Sequence, residues 1–302
     1  MKKFVVITGG LGNQLFQLAG ALTATESKIC VVTCLGEPRT YKEEIEIANL
    51  DLLGEVSFHV CSKRHVLSKK VYLLLLSSAT RRQFLQKHAL SRYLLMLLGF
   101  IVLSKHLNSI VIPRVSIGIG HDKNFKNRKG NLFIGYFQTF SQSSRSKNLI
   151  SYALDKIQPI DQIYNEDSPD LVIHYRLGDY KSEKSFGIVG TSYFVEGIKL
   201  VTDVCLVKSI WLFSDEPKLA LSLISSEVSS DIRVVGSSED SPLRILVTMS
   251  KGKSFIISNS TFSWWAAYLS SKDAVVAPVP WFANAETPTM LIPSNWTQIN
   301  RS

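Results

Sequence analysis

Short apolar runs alternate with longer amphipathic stretches along most of this chain, and the alternation is cleanest in its second half. Strand-like runs fall at 171–175, 210–213, 232–235, 255–258 and 274–277, with helix-like apolar spacing near 192–202, 217–227, 241–251 and 261–271. A β-α-β-α order of this kind predicts a doubly wound parallel sheet. The first half opens with a strand over 3–8, a Gly-rich turn over 9–12 and a helix from about Asn13 to Thr25. A strand near 28–34 follows, then a long helical region over 63–104 in which Leu recurs at helical spacing between basic residues. Short strands near 109–112 and 131–135 and a helix near 142–157 complete this half. The polar, Pro-punctuated stretch from Gln158 to Asp170 reads as a linker, which predicts an α/β chain of two domains, 1–158 and 159–302.

In open parallel sheets, ligands bind outside the carboxyl ends of the strands. In the second half those ends carry His174-Tyr175-Arg176, Ser214-Asp215-Glu216, Gly236-Ser237-Ser238 and Asn259-Ser260-Thr261, so the polar clusters share one edge. The last of them hands a strand over to a helix in the segment Asn259-Ser260-Thr261-Phe262-Ser263-Trp264-Trp265. Backbone N–H groups and the dipole at a helix start suit an anion, most often a phosphate. The alternative is an N-cap followed by two core tryptophans; the shared edge favours the anion seat, with Ser260 and Thr261 as its working part and Trp264 and Trp265 in the core. Arg176 offers a planar, permanently charged fork for phosphate oxygens, its alternative being a structural pair with Asp179. His174 reads as a structural or base-contacting histidine rather than a general base. After the first strand, Gly9-Gly10-Leu11-Gly12-Asn13-Gln14 has neither dinucleotide-fold nor P-loop spacing. Its two amides either grip sugar hydroxyls or cap the helix.

Composition narrows the picture. Apolar content of 45% and charged content of 20% fit a globular chain and argue against disorder. Met1-Lys2-Lys3 runs straight into a strand, so no secretory leader is expected, and the longest apolar run, 94–103, is far short of the ~20 residues of a spanning helix. Cys30, Cys34, Cys61 and Cys205 lack metal-ligand spacing and read as reduced thiols, which with the missing leader predicts a cytoplasmic location. Residues 1–150 hold 21 basic and 8 acidic side chains, and 63–147 hold 16 basic residues against Asp122 alone. Such an excess suits solvated helix faces or peripheral contact with an anionic membrane surface. Aromatic residues are not interleaved with the charges, which argues against nucleic acid. No Asp-x-Asp pair is present to hold a metal ion on a nucleotide diphosphate, so no metal and no cofactor are expected.

Five segments together resemble the α-1,2-fucosyltransferases of glycosyltransferase family eleven: Gly-Gly-Leu-Gly-Asn-Gln-Leu-Phe-Gln (9–17), Gly-Tyr-Phe-Gln (135–138), His-Tyr-Arg-Leu-Gly-Asp-Tyr (174–180), Phe-Ser-Asp-Glu (213–216) and Asn-Ser-Thr-Phe-Ser-Trp-Trp-Ala-Ala (259–267). They occur in the family's order and span nearly the whole chain. The resemblance implies a GT-B-like fold of two Rossmann-type domains with a cleft between them, an acceptor side in 1–158 and a donor side in 159–302. It implies metal-independent, inverting transfer of L-fucose from GDP-β-L-fucose to the 2-hydroxyl of a terminal galactose, in surface polysaccharide or O-antigen synthesis. By position, Arg176 would hold the diphosphate; Ser260, Thr261 and Phe262 would flank its β-phosphate and guanosine. Asn259 belongs to the same donor-binding segment. His174 and Asp215 would lie near the nucleoside, and Asn13 would reach toward the reacting sugar. Asp179 is the nearest carboxylate to act as base, with His121 and Asp122 as alternatives. Leu177, Ile245 and Gly252 stand where family members often have Arg, Asp and Cys, which marks a divergent member. A lipid-linked glycan acceptor would suit a cationic membrane-facing helix. Other classes fare worse. A Rossmann oxidoreductase wants G-x-G-x-x-G and an acid after strand two, and a non-catalytic carbohydrate-binding module leaves Arg176 unexplained. A GT-B transferase with another linkage or nucleotide sugar is the nearer alternative.

Overall fold

The computed structural model describes residues 1–33, 46–60, 66–80, 89–160, 168–181, 185–225, 231–270 and 274–302. Two compact units emerge, Met1–Ala153 with Pro288–Leu291 and Leu154–Thr287 with Ile292–Ser302. Each is a parallel sheet with helices packed on it, so the chain is α/β and GT-B-like in having two Rossmann-type units.

The first unit contains β1 (Lys3–Ile7), α1 (Leu11–Ala24), β2 (Ile29–Thr33), β3 (Val56–Val60), α2 (Val66–Thr80), α3 (Ala89–His106), β4 (Pro113–Val115), β5 (Leu132–Ile134) and α4 (Phe140–Leu154). Its sheet runs β3-β2-β1-β5-β4. The helical region expected over 63–104 is two helices packed on one another, with 61–65 and 81–88 outside the described residues. The strand expected over 109–112 lies further along. Val111 N donates to Ser104 Oγ at 2.9 Å, and pairing begins only at Pro113↔Leu132. Proline, lacking an N–H, is tolerated at the first position of such an edge strand.

The second unit contains β6 (Leu171–Tyr175), α5 (Thr191–Val204), β7 (Ile210–Ser214), α6 (Pro217–Ile224), β8 (Ile232–Val234), α7 (Pro242–Met249), β9 (Ser254–Ile257), α8 (Thr261–Leu269), β10 (Ala274–Val279) and β11 (Thr297–Asn300). Its order is β11-β10-β9-β6-β7-β8. Central β6 is buried along its whole length, which explains its continuous apolar run. Leu171, Ile173, Leu212 and Ile256 pack with Phe194 and Ile198 of α5. The Tyr193 hydroxyl reaches Ile257 O at 2.6 Å and Val276 O at 3.0 Å, bracing β9 and β10 where the chain turns toward the candidate site. Trp264 and Trp265 are fully buried, as expected of core residues.

Candidate functional site

Strands β6 and β9 are parallel neighbours in the register His174↔Ile257, and β7 lies on the other side of β6 with Tyr175↔Ser214. Neighbouring strands are about 4.8 Å apart. Arg176, Asp215 and Asn259 therefore leave the sheet side by side at its carboxyl edge, and the start of α8 follows at once. The sheet register brings together residues that are up to 83 positions apart in sequence.

Asp215 organises the turn after β6. Its Oδ1 accepts from Leu177 N at 2.9 Å, its Oδ2 accepts from Gly178 N at 3.0 Å, and Arg176 Nε lies 3.3 Å from Oδ2. Gly178 is required by this arrangement, because a Cβ there would meet Asp215 Oδ2 at 2.6 Å. Arg176 thus has an ion-pair partner from the next strand, and Leu177 points into the core. The Arg176 guanidinium also lies 5.8 Å from the centre of the Tyr180 ring, a cation–π contact that further fixes its direction. Tyr180 in turn donates to Asn259 O at 3.2 Å and stacks on Phe186. The side chain of Asp179 lies outside the described residues.

His174 is buried, with Nδ1 2.9 Å from Ser258 Oγ on the adjoining strand end. Burial, and secondarily the charge of Arg176, lower its pKa to about 3. The imidazole is neutral near pH 7 and too weak a base to take a proton from a sugar hydroxyl. The Phe262 ring lies 6.3 Å from it.

Asn259 and Ser260 shape the approach to α8. The buried Asn259 amide donates to Phe186 O and Trp281 O, both at 3.0 Å, while its Oδ1 has no hydrogen-bond partner among the described residues. Trp281 O also accepts from Arg301 Nη1 at 3.3 Å, and Arg301 Nη2 donates to Ile188 O at 3.2 Å. Burial lowers the pKa of this guanidinium. Sequence reasoning missed Arg301 because no local pattern ties it to residues 185–190. Ser260 is the N-cap, its Oγ accepting from Phe262 N at 3.4 Å, and Thr261 opens the helix half-buried. Ser260 accordingly acts as a cap, and the first-turn N–H groups of α8 belong to the same edge as Arg176.

In the first unit, the glycine turn leads into α1 with Gly9 at φ +75°, a conformation that favours glycine. Its two amides divide the work. Gln14 is buried and donates to Gly9 O at 2.9 Å, holding the turn, whereas Asn13 Oδ1 accepts from Gln138 Nε2 at 3.1 Å. Asn13 and Gln138 thus meet at the carboxyl ends of β1 and β5, and the Oε1 of Gln138 is buried without a hydrogen-bond partner among the described residues. The Gly-Tyr-Phe-Gln segment was the available signal for Gln138. Asp122 accepts from Ile117 N at 2.8 Å and Asn124 N at 3.0 Å and lies 3.3 Å from Arg128 Nη2, so it anchors its loop.

Residues 4–300 match the model of glycosyl transferase family 11. The O-antigen biosynthesis glycosyltransferase WbnK of Escherichia coli is 26% identical over 311 residues, covering 92% of this chain and 94% of that protein. An alpha-1,2-colitosyltransferase of Escherichia coli is 29% identical over 141 residues, 43% of this chain and 47% of its own. Among solved structures, Escherichia coli ADP-heptose lps heptosyltransferase II aligns with a TM-score of 0.49 at 11% identity, over 99% of this chain and 90% of that one. One family model takes in both units and every segment of the candidate site: the chain belongs to glycosyl transferase family 11 and is a glycosyltransferase.

Proposed function

We propose that this glycosyltransferase is a galactoside α-1,2-L-fucosyltransferase of surface polysaccharide synthesis that uses GDP-β-L-fucose without a metal ion. The observation that carries the reading is Arg176, set by Asp215 and Tyr180 at the sheet edge from which α8 starts. In the proposed step the acceptor O2 bonds to the fucose anomeric carbon as the bond from that carbon to the β-phosphate oxygen breaks. The hydroxyl proton passes to a base, for which Asp179 is the candidate, and the electron pair leaves with GDP. Arg176 and the N–H groups around Ser260 and Thr261 would stabilise the charge that builds on GDP, preorganised electrostatics being the largest catalytic contribution in most enzymes. Phe262 and His174 would serve the nucleoside, with Asp215 and Asn259 positioning the edge. Acceptor recognition is assigned to the first unit, from which Asn13, paired with the Gln138 amide, would reach toward the reacting sugar of the donor.

The relatives bear on the fine points. WbnK is named for O-antigen biosynthesis, which supports a polysaccharide acceptor, and the colitosyltransferase is named for an α-1,2 linkage. Its donor sugar is not fucose, which favours as a second reading the same linkage with another sugar. Work at the cytoplasmic membrane face on a lipid-linked glycan belongs to the same proposal.

Purified protein incubated with GDP-fucose, a panel of galactosides and EDTA should yield a product that an α-1,2-specific fucosidase cleaves. Consumption of a different nucleotide sugar, with none of GDP-fucose, would replace the first reading by the second. Loss of transfer in EDTA, restored by a divalent cation, would remove the metal-free claim.

A further inference from the structure

From Leu94 to Leu103 helix α3 carries no polar side chain, which is the composition of a buried helix. It is buried on one side only. Gly99 sits so close to α2 and β4 that a Cβ would lie 3.1 Å from Leu75 Cδ1 and 3.2 Å from Pro113 Cγ, and Leu103 is fully buried. The opposite side carries Leu90, Tyr93, Leu94, Leu97 and Ile101, spaced as one helical stripe and between 44% and 72% exposed. The neighbouring α2 adds Leu67 and Leu74, both more than half exposed. Large apolar side chains gathered in this way on a globular surface mark a contact with something else.

Charge indicates what that is. Lys70 and Lys105 are exposed on these same two helices, and Lys123, Lys126 and Lys129 are exposed in the loop after β4. The one acid within 63–147, Asp122, is held by Arg128 and two backbone N–H groups. A second copy of the chain docking isologously would set these like charges against each other. No helix among the described residues is long and apolar enough to cross a membrane, and α3 packs lengthwise on its own unit. An outward stripe of Leu, Ile and Tyr on a helix that also exposes Lys105, beside a helix that exposes Lys70, is the pattern of a helix lying in a lipid interface.

We propose that the α2–α3 face seats this protein on an anionic bilayer, the leucine stripe entering the interface and the lysines meeting lipid phosphates. The seating is independent of which sugar is transferred, so its failure would leave the transferase reading untouched. The test is co-sedimentation of the full chain with vesicles of phosphatidylcholine alone or with about 30 mol% phosphatidylglycerol. The Leu94→Glu/Ile101→Glu variant would run alongside. Both positions are exposed, and circular dichroism would verify that the variant folds. The expected result is pelleting with the anionic vesicles, weakened in about 0.5 M salt and reduced about tenfold or more in the variant. Failure to pellet, or equal pelleting of the variant, would overturn the proposal. So would a dimer in light scattering that the variant splits, since the stripe would then be an interface between copies.

Discussion

The buried His174 makes the stability of the second unit depend on pH in a direction that can be worked out. An unperturbed imidazole titrates near 6.5, and burial beside Arg176 lowers His174 to about 3. Above pH 6.5 neither the folded nor the unfolded state binds the proton, and the full stability is present. As the pH falls below 6.5 the unfolded chain takes up a proton that the folded state refuses, so stability drops until the folded pKa is reached. Each pH unit in that window costs about 1.4 kcal/mol, so acidification from pH 7 to pH 5 should remove about 2 kcal/mol through this residue alone. Stability also depends on pH through other groups, which is why the measurement is a comparison with His174→Asn. Asparagine can keep a hydrogen bond to Ser258 Oγ and cannot take up the proton. All five tryptophans, Trp211, Trp264, Trp265, Trp281 and Trp296, lie in the second unit. Urea unfolding followed by tryptophan fluorescence therefore reports the unit that contains His174. The stability advantage of the wild type over the variant should shrink by about 2 kcal/mol between pH 7 and pH 5. An advantage that stays constant within about 0.5 kcal/mol would mean that the imidazole is solvated or already charged, which would overturn the buried, neutral placement of His174.

Further predictions rest on single contacts. Arg176→Ala should lose transfer by about two orders of magnitude or more with an unchanged circular dichroism spectrum, and Arg176→Lys should recover only a small part because it lacks the fork. Activity of Arg176→Ala above a tenth of wild type would exclude the diphosphate role. Gly178→Ala places a Cβ against Asp215 Oδ2 and should weaken GDP binding in calorimetry while the unfolding midpoint changes little; unchanged affinity would show that the turn does not position Arg176. Gly20→Ala drives a Cβ to 2.4 Å from Cγ of the buried Phe137. It should destabilise the first unit by about 1–3 kcal/mol, seen by far-ultraviolet circular dichroism and absent from tryptophan fluorescence. A shift of the fluorescence transition by the same amount would show that the units do not unfold separately.

The strands of the second unit were legible because a strand buried on both faces must be apolar along its length. Leu171–Tyr175 falls where its apolar run predicts it. In the first unit β4 and β5 are only three residues each, and β4 begins on a proline, so pattern alone put a strand at 109–112 instead. The edge strands β3 and β11 have no counterpart among the expected elements, since an edge tolerates Ser57 and Gln298 where a central strand would not. In the site, the positions of Arg176, Asp215 and Ser260 followed from strand ends. Their partners did not, because partners depend on register. The pairing of Arg176 with Asp215, of His174 with Ser258 and of Asn259 with Trp281 O each crosses between segments whose adjacency only the sheet order specifies. The basic stretch was visible as charge, but the outward leucines were not, because a stretch of helix that is apolar all round does not declare which side faces water.

In the proposed function, the pair formed by Arg176 and Asp215 would also bear on how the protein lets go of its product. A carboxylate 3.3 Å from the guanidinium is a standing competitor for any anion that docks beside it. Under the proposed function it would lower the net attraction that a spent nucleotide feels as much as it aims the arginine at a new one. On that reading, the carboxylate that orients the arginine would also set a ceiling on product retention, and a catalyst working through many cycles gains more from such a ceiling than from tighter grip.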